Sequence, residues 1–488
     1  MMKLWIFTEG DQLRGLGHLS RCSSYATAWE KLGGVVQWVI DGDSTARRFI
    51  HQKNVIWKQW QYENIIVPLN TDVAIVDSYT ASLEQLERLS LSFNITSYLD
   101  DTFRLPYPKG IVIHPASNSN PILKGSCCWL TGPSWQSIRP AFINTRKEKT
   151  VVHTIKNILI MMGGTDIRNI TSLVISIVRK VYPSAMLHVI TSTALDNTNN
   201  CTYYSNLSAN QVADLMHKND ISICAAGQTI FELIACLLPS IIIKTAENQS
   251  LQLNQVSCED LFPVIDEWNQ DNLKEKLSFH LSSLCNRDER NKYIFKMKSY
   301  GVSDGASRFA NLLFYYSKIS DVIAYDCLKL VPFTILSKAE KIKILSIRNR
   351  IKVRCQMMNK KRISISSHFK FISTQINNPL NINYAVFYGD VIIGSTSLHN
   401  IDWIHKEAWL DIYRHPSHNW SGFGNKILLA AKHVAFDVAH LDKLNLCVKN
   451  NNKSALDLYR KHCFIEVCSE DNIVKMTLYR ETYQQDDI

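Results

Sequence analysis

A histidine and an arginine, one helical turn apart, stand at a glycine-rich step near the start of the chain. The segment Gly15-Leu16-Gly17-His18 is followed by Arg21 and opens a helix-like stretch just after the first strand-like run. Backbone amides at such a step can approach a phosphate, and the helix N-terminus favours its negative charge. His18 can act there as a general base or polarise a water molecule. A single histidine is more commonly a capping or packing residue, and that alternative stays open.

Three later turns also place polar or small residues where a strand-like run ends. In the second of them, Glu232 stands one turn inside a helix, where its carboxylate can accept hydrogen bonds from both ribose hydroxyls of a nucleotide. Residues 227–229 would then face the phosphates. The residues of these turns that we predict to contact a substrate are Gly164, Thr165, Gly227, Gln228, Thr229, Glu232, Asn248 and Gln249. Each glycine turn alone is more often structural; their order and shared sheet edge favour a function.

A different chemistry is indicated near the C-terminus. Gly422-Phe423-Gly424 lies between a strand and a helix, where backbone amides can bind the pyrophosphate of coenzyme A without a metal. Asn452 is a helix-capping residue, and Tyr459 lies two turns along that helix. A tyrosine hydroxyl can protonate a leaving thiolate, because its reference pKa of about 10 is close to that of an alkyl thiol. A helical tyrosine usually belongs to the core, so it is the order and spacing of the pair that favour acyl transfer.

The elements that must position these residues form three successive units. Strand-like runs alternate with helix-like stretches over residues 1–315, which predicts parallel sheets built from βαβ units. We expect two such halves, residues 1–145 and 146–320, with a crevice between them. Residues 326–488 contain an antiparallel hairpin pattern that turns at Gly389-Asp390, followed by strand–helix pairs. This third unit is predicted to be a separate α+β domain.

Composition limits the class of protein. The chain has 488 residues, 46% hydrophobic and 20% charged, which is typical of a globular protein of several domains. The net charge of +10 suits anionic partners. On this interpretation Lys and Arg are scattered apart from short clusters such as Lys360-Lys361-Arg362, so phosphorylated metabolites fit at least as well as nucleic acid. A nucleic-acid protein is least favoured, because no basic stripe interleaved with aromatic residues stands out.

The cysteines and the N-terminus indicate the compartment. The thirteen Cys are dispersed, mostly in apolar runs, and none has zinc-site spacing, which favours buried free thiols in a reducing compartment. The N-terminal run resembles a first strand and not a signal peptide, and no apolar run is long enough to span a membrane. We therefore expect a cytoplasmic protein with no membrane and no metal. The oligomeric state stays open.

Seven ordered segments of residues 1–315 resemble the UDP-sugar hydrolase of pseudaminic acid biosynthesis. These segments are Gly15–Arg21, Val76–Tyr79, Asp100–Arg104, Gly132–Pro140, Gly163–Asp166, Ala225–Glu232 and Glu247–Gln249. Enzymes of that family release UDP from UDP-2,4-diacetamido-2,4,6-trideoxy-β-L-altropyranose. They are related to GT-B glycosyltransferases typified by the lipid II-forming GlcNAc transferase, MurG. The resemblance therefore implies an α/β fold of two Rossmann-like, GT-B-like halves.

The resemblance also implies roles for individual residues. His18 would activate water for inverting attack at the anomeric carbon, without a metal. UDP would be gripped through Glu232, Gly227 and Thr229. Asn248 and Tyr79 would lie near the sugar, and Gly17 and Arg21 complete the predicted substrate-binding set.

Residues 328–480 resemble the GNAT acetyltransferase superfamily, and more narrowly the N-acetyltransferase of the same pathway. The supporting segments are Ile347–Asn349, Tyr384–Phe387, Ile393-Gly394, Asp411–Pro416 and Asn452–Tyr459. The resemblance implies acetylation of the C4 amine of UDP-4-amino-4,6-dideoxy-N-acetyl-β-L-altrosamine. It further implies that Gly422, Phe423, Gly424 and Asn452 bind acetyl-CoA and that Tyr459 is the acid. The base that accepts the amine proton is left unnamed.

Two rival functions remain at this stage. A GT-B glycosyltransferase with a fused acetyltransferase would share the fold and hand the sugar to an acceptor instead of water. A non-catalytic UDP-sugar or CoA sensor would bind without turnover. The two resemblances favour an enzyme, because they concern successive steps on one UDP-sugar substrate.

Overall fold

The computed structural model places three sheets along the chain, each fed by the apolar runs of its own segment. It describes residues 2–50, 54–63, 65, 72–115, 125–144, 148–163, 166, 168–191, 200–246, 249–266, 268, 270–300, 304–417, 422–470 and 472–485. The predicted site residues Gly164, Thr165 and Asn248 lie outside the described residues, as do residues 418–421 before Gly422.

The first sheet has seven parallel strands in the order β3-β2-β1-β4-β5-β6-β7. Its strands are β1 (Lys3–Gly10), β2 (Val35–Gly42), β3 (Val55–Trp57), β4 (Val73–Asp77), β5 (Ile95–Leu99), β6 (Ile111–His114) and β7 (Cys128–Thr131). Its helices are α1 (Gly17–Lys31), α2 (Ser44–Phe49), α3 (Leu83–Ser92) and α4 (Pro140–Asn144). Parallel strands that are buried on both faces need continuous apolar runs, and β4 is buried throughout. The strand order reverses between β1 and β4, and ligands of such sheets bind at the carboxyl ends there.

The second sheet has six parallel strands in the order β10-β9-β8-β11-β12-β13. Its strands are β8 (Asn157–Met161), β9 (Met186–Ile190), β10 (Cys201–Tyr204), β11 (Ile221–Ala225), β12 (Ser240–Ile243) and β13 (Val264–Ile265). Its helices are α5 (Thr171–Val181), α6 (Ala209–Lys218), α7 (Thr229–Ala235), α8 (Ser250–Cys258), α9 (Gln270–Leu284), α10 (Arg287–Tyr300) and α11 (Gly305–Ile319). Here the reversal lies between β8 and β11, so the turn after β11 occupies the ligand-binding position of this sheet.

The third sheet has eight strands in the order β14-β15-β16-β17-β18-β19-β21-β20. Its strands are β14 (Ile323–Tyr325), β15 (Leu328–Pro332), β16 (Ile382–Tyr388), β17 (Val391–Asp402), β18 (Glu407–Arg414), β19 (Lys443–Lys449), β20 (Ile465–Glu470) and β21 (Ile473–Tyr479). Its helices are α12 (Lys338–Asn349), α13 (Ile351–Arg354), α14 (Ile365–Thr374), α15 (Phe423–His433), α16 (Lys453–Lys461) and α17 (Arg480–Gln485), and a π-helical turn at Val434–Val438 extends α15. Neighbouring strands are antiparallel except β18 and β19, which run parallel.

Helix α11 joins the first sheet to the third. Phe309 and Phe314 of α11 make edge-to-face ring contacts with Tyr25 and Trp29 of α1, at centroid distances of 5.8 and 5.5 Å. From the third sheet, the buried Tyr384 hydroxyl donates to the Ile319 carbonyl at the end of α11, at 2.5 Å. One continuous apolar core therefore runs from α1 through α11 into the third sheet.

The mixed α/β architecture with parallel sheets and a C-terminal α+β domain confirms the predicted fold class at this level. The predicted hairpin is also confirmed, because β16 ends at Tyr388 and β17 begins at Val391. The prediction that most of the cysteines are buried was wrong. All thirteen are free, but only Cys22, Cys224 and Cys236 are buried, since most of the others lie at strand edges, in loops or on helix surfaces.

Candidate active sites

His18 lies at the start of α1, in contact with a buried carboxylate from the next strand. Its Nδ1 is 2.7 Å from Asp77 Oδ1, and its side chain is almost completely buried. The contact arises because β1 and β4 pair in a register that aligns Thr8 with Asp77, so the end of β4 lies beneath the start of α1. Burial alone would raise the pKa of Asp77, but Arg21 and His18 outweigh it and hold that pKa well below its ordinary value. An ionised Asp77 makes Nδ1 the donor, which leaves Nε2 as a proton acceptor.

Arg21 and Tyr79 surround this pair. The Arg21 guanidinium donates to both Asp77 oxygens, at 2.9 and 2.5 Å, and to Asp101 at 3.2 Å. The Tyr79 hydroxyl donates to Asp101 at 2.7 Å, and its ring stands edge-on to the imidazole with centroids 4.5 Å apart. Burial, together with the Asp101 charge, raises the pKa of Tyr79 above its ordinary value. Both residues lie at the predicted site, but their polar groups hold carboxylates, so the geometry makes them positioning residues.

The backbone before His18 is open toward a ligand. Gly15 has a φ of +81°, which an L side chain rarely adopts, and a Cβ at Gly17 would meet no atom within 4 Å. Leu16 occupies the N-cap of α1 and has no side-chain oxygen with which to cap the first turn. The amides at this helix start are therefore available to an anion or to water, as predicted.

Glu9 is a site residue that the sequence interpretation missed. Its carboxylate is buried at the end of β1 and accepts the Tyr79 amide at 2.8 Å, the Ser78 hydroxyl at 2.8 Å and the Gln61 amide at 2.7 Å. Burial alone would raise the pKa of Glu9, but hydrogen bonds from Thr80, Ser78 and Tyr79 outweigh it and lower that pKa. Glu9 therefore fixes the loop that carries Tyr79. A buried acid at the end of an apolar strand was the available signal.

The turn after β11 contains a glycine whose backbone conformation would be strained for any other residue. Gly227 has a φ of +144°, and α7 starts two residues later at Thr229. Glu232, inside α7, is buried and forms a bidentate ion pair with Arg139, at 2.7 and 3.0 Å. Burial raises the pKa of Glu232, and Arg139 offsets only part of that effect. A ribose would have to share this carboxylate with Arg139, which the sequence interpretation had not singled out.

Two residues of this half that were predicted to contact the substrate have side chains that bond to other parts of the protein. The Gln228 side chain donates to the Ser137 carbonyl and accepts from Gln136 at 3.3 Å. Gln249 accepts the amides of Thr245 and Ala246, at 2.8 and 3.1 Å, and donates to the Ala226 carbonyl at 2.9 Å. Most of their hydrogen bonds are therefore made to backbone groups, because each turn needs its buried polar groups paired. Gln249 ties the loop after β12 to the glycine turn.

The ligand edges of the two parallel sheets meet at Ser137. Its hydroxyl donates to the Arg21 carbonyl at 3.4 Å, and its own carbonyl accepts from Gln228. Ser137 and Gln136 are both buried. The helix start that carries His18 and the turn that carries Gly227 are therefore joined through one short connecting segment.

The second candidate site is a cleft in the third sheet. Pairing between the parallel strands β18 and β19 covers only Glu407–Trp409 with Lys443–Asn445, although both strands continue for several residues. The strands therefore diverge and leave an opening between Leu410–Arg414 and Leu446–Lys449. Gly422 stands at the N-cap of α15 in the left-handed conformation with φ +84°, and a Cβ added at Gly424 would meet its nearest atom at ordinary contact distance. Phe423 packs against Tyr388 with ring centroids 5.1 Å apart.

Tyr459 lies on α16 next to this cleft. Burial raises its pKa to about 12, with a smaller contribution from the charge of Asp411. The hydroxyl is therefore protonated at neutral pH, as an acid must be. Asn452 stands at the N-cap of α16, as predicted, but its side chain accepts from the Ser454 hydroxyl at 3.3 Å and makes no capping bond to the backbone. That leaves its amide group available for another contact.

The surplus positive charge of the chain is concentrated beside the cleft. Residues 338–370, which include α12, α13 and the first part of α14, contain eleven Lys and Arg and a single acid, Glu340. This surplus equals the net charge of the whole chain, +10, so the interpretation of scattered cations was wrong. Lys449, at the end of β19, donates to the carbonyls of Cys355 and Met357, at 2.7 and 2.8 Å. The basic segment is thereby held against one wall of the cleft.

Residues 356–464 match the acetyltransferase (GNAT) family. The chain is 26% identical over 260 residues to the pseudaminic acid cytidylyltransferase and UDP-2,4-diacetamido-2,4,6-trideoxy-beta-L-altropyranose hydrolase of Helicobacter pylori, which is 51% of this chain and 45% of that protein. It is 30% identical over 93 residues to the spermidine N(1)-acetyltransferase of Vibrio cholerae, 19% of this chain and 52% of that enzyme. The chain thus spans about half the length of these relatives.

A solved structure, the N-acetyltransferase PseH of Campylobacter jejuni, is 22% identical, with a TM-score of 0.27, and covers 32% of this chain and 99% of its own. The similarities confirm the two predicted resemblances, to a hydrolase of the pseudaminic acid pathway and to GNAT N-acetyltransferases.

The described residues contain neither a metal-binding cluster nor a membrane-spanning helix. Over the parts of the chain that the structure describes, no group of three or more His, Cys, Asp or Glu side chains is arranged to hold a metal ion. In the same parts, no helix is both long enough and apolar enough to cross a membrane.

Proposed function

We propose that the chain is a bifunctional nucleotide-sugar enzyme of pseudaminic acid biosynthesis that works in the cytoplasm. Its third domain transfers an acetyl group from acetyl-CoA to the C4 amine of UDP-4-amino-4,6-dideoxy-N-acetyl-β-L-altrosamine. Its two parallel-sheet halves then hydrolyse the product, UDP-2,4-diacetamido-2,4,6-trideoxy-β-L-altropyranose, to the free sugar and UDP. The observation that carries the proposal is the His18–Asp77 pair at an uncapped helix start, in one chain with a GNAT-type cleft.

Hydrolysis starts at His18. Asp77 holds the imidazole through Nδ1 at 2.7 Å, so Nε2 takes a proton from a water molecule that attacks the anomeric carbon. The attack comes from the face opposite the leaving group and inverts the configuration. Asp77 stabilises the imidazolium that forms, while Arg21 and Tyr79 keep the carboxylates and the ring in place.

The leaving diphosphate belongs to the second half in this proposal. The turn before α7 offers the backbone amides of Gln228 and Thr229 at a helix start, and the α1 start offers others across the crevice. Glu232 binds the ribose while Arg139, freed in part from the ion pair, contacts the diphosphate. Contact between the halves through Ser137, and the return of α11 to α1, support a GT-B-like arrangement.

In the third domain, the proposed acetyl-CoA site lies in the cleft between β18 and β19. The amides of Gly422, Phe423 and Gly424 would bind the pyrophosphate, and Asn452 would contact the pantetheine arm. Tyr459, which its raised pKa of about 12 keeps protonated at neutral pH, donates its proton to the departing thiolate.

The charge beside the cleft favours an anionic acceptor over a polyamine. A polyamine such as spermidine carries only positive charge at neutral pH and would be repelled by a segment with eleven cations and one acid. A UDP-linked amino sugar instead brings a diphosphate to the same surface. We therefore assign the nucleotide end of the acceptor to residues 338–370.

The proposal is tested by mass spectrometry of the products formed from the UDP-amino sugar with and without acetyl-CoA. We expect the N-acetylated UDP-sugar first, then free diacetamido sugar and UDP, with no other acceptor present. A glycosyltransferase would leave the acetylated UDP-sugar intact until an acceptor is added. A sensor would leave both ligands unchanged.

A further inference from the structure

The open face of β17 and β18 carries a histidine–carboxylate pair that no role above uses. His399 lies opposite Trp409 in the β17–β18 ladder, and Asp411 lies opposite Ser397, so the two side chains share one face on a diagonal. His399 Nε2 is 3.4 Å from Asp411 Oδ2. The side chains remain 33% and 55% exposed, so a substrate can reach them.

The pair lies where the cleft opens. Trp409 is the last β18 residue that pairs with β19, opposite Asn445. Asp411 and Cys447 come two residues later on the diverging strands, so they flank the opening on the same face. The sheet thus places a carboxylate and a neighbouring imidazole at the edge of the proposed thioester site.

Charged and titratable groups from every neighbouring element face this pair. Tyr459 comes from α16, Arg348 from α12, and Cys447 from β19. Burial has the largest effect on the pKa of each, raising that of Tyr459 and Cys447 and lowering that of Arg348, and the charge of Asp411 raises all three. Lys475 of β21 lies over the Trp409 ring, 4.9 Å from its centroid. Asp411 is therefore close to Tyr459, the proposed acid, and supplies the carboxylate of this cluster of side chains.

We propose that His399 accepts the proton of the acceptor amine and that Asp411 orients its ring and stabilises the imidazolium. The inference rests on the proposed acetyl transfer. A neutral imidazole that donates from Nε2 to Asp411 has its Nδ1 lone pair free to take a proton.

The step balances in atoms and charge. The amine nitrogen forms a bond to the acetyl carbon, and the bond from that carbon to sulfur breaks. His399 receives the amine proton, and the Tyr459 hydroxyl supplies the proton that the thiolate needs. Proton transfer from the imidazolium to the tyrosinate through solvent restores both residues for the next cycle.

The chain offers a matched control. His405 Nδ1 lies 2.7 Å from Asp402 Oδ2 at the turn between β17 and β18, with the imidazole 73% exposed. This second pair has the same chemistry and even closer contact, but it lies at the far end of the hairpin. His405→Gln therefore changes an equivalent pair without touching the cleft.

The test measures loss of thioester against pH for wild type, His399→Gln, Asp411→Asn and His405→Gln. The amines offered are the UDP-amino sugar and spermidine. We expect His399→Gln to lower kcat at pH 7 by about 100-fold or more and to move the acidic limb of the pH profile to higher pH, where the amine itself loses its proton. Activity should recover as rising pH deprotonates the amine, the KM for acetyl-CoA should not change, and His405→Gln should match wild type.

Two results overturn the inference. One is a His399→Gln profile whose acidic limb stays at its wild-type position, with kcat within about threefold of wild type, on the amine that wild type prefers. The other is an equal loss in His405→Gln. A wild type that acetylates spermidine and not the UDP-amino sugar overturns the proposed acceptor, while the His399 comparison still decides the inference on spermidine. Unchanged UDP release by each variant shows that the chain is folded.

Discussion

For the two catalytic residues predicted from sequence, the local setting could be predicted but the distant partners could not. His18 and Tyr459 each belong to a local motif, and their positions at helix starts or on helix faces follow from nearby residues. The groups that tune them come from distant segments, Asp77 for His18 and Asp411 for Tyr459. Such partners depend on strand register, which a single sequence does not specify. Glu9 and Arg139 were missed for the same reason.

The role of His18 leads to the first prediction. His18→Gln should lower UDP release from the diacetamido UDP-sugar by 100-fold to 10,000-fold, because the proton acceptor is lost while the helix start is kept. Acetyl transfer should be unaffected. Both rates are measured on the same preparation, and Tyr459→Phe, which should do the reverse, is the matched control. Full hydrolysis in His18→Gln would refute the assignment.

Asp77 leads to a prediction about stability. Its pKa is lowered in the folded protein, chiefly because Arg21 and His18 outweigh burial. The carboxylate therefore stabilises the fold above its unfolded pKa of about 3.9, and this contribution is lost as pH falls through the lower folded value. Asp77→Asn leaves the buried Arg21 charge without its main partner, so we expect a loss of about 3–5 kcal/mol at pH 7.

Denaturant unfolding at several pH values checks this expectation. The difference between wild type and Asp77→Asn should be constant near neutral pH and shrink below about pH 4. Arg14, whose side chain is partly exposed and pairs with Asp11 and Asp41, provides a comparison. Arg14→Gln should cost much less, since exposed ion pairs contribute about 1 kcal/mol or less. Equal losses in the two variants would contradict the prediction.

At the scale of elements, long periodic segments were predicted well. The strand–helix pairs predicted after the hairpin correspond to β18 with α15 and to β19 with α16. Short edge strands such as β3, β13 and β14 were not predicted, because three or fewer residues carry too little periodicity. The divergence of β18 and β19 was also not predictable, since it depends on where pairing stops and not on either strand's composition.

The first residue of α11 leads to a prediction at this scale. Gly305 lies against the backbone of Trp135 and Gln136, and a Cβ there would overlap their carbonyl groups. Gly305→Ala should therefore displace the start of α11 and destabilise the protein by about 1–3 kcal/mol. Thermal unfolding measures the loss. Gly424→Ala, inside α15 with its nearest atom at 3.9 Å, should not destabilise, because alanine is the better helix former.

At the scale of the whole molecule, the sequence indicated three units but not how they join. The predicted boundary near residue 320 falls at the end of α11, which packs on α1 and also on the third sheet. The sequence could not show which elements α11 packs against, because an amphipathic pattern indicates that a face is buried but not what covers it. The domain boundaries 1–145, 146–320 and 326–488 remain predictions.

The shared core leads to the last prediction. Because α11 belongs to the core of both parts, heat should abolish UDP release and acetyl transfer at the same temperature. UDP at about 100 times its Kd should stabilise the folded chain by about 2.7 kcal/mol, so it should also protect the acetyl-transfer activity. Residual activity of each kind after heating, with and without UDP, measures this. Independent loss of the two activities would show that the parts unfold separately.

The joining of both parts in one chain through helix α11 has one more consequence, which concerns the ratio of the two proposed activities. On the proposed function, a cell that makes this chain makes one acetylating centre for every hydrolysing centre, and no change in expression can alter that ratio. Flux through the pair can then be balanced only by altering the turnover of one centre. A substitution in α11 itself would weaken both at once, so variation that adjusts the balance should accumulate around the clefts and spare this helix.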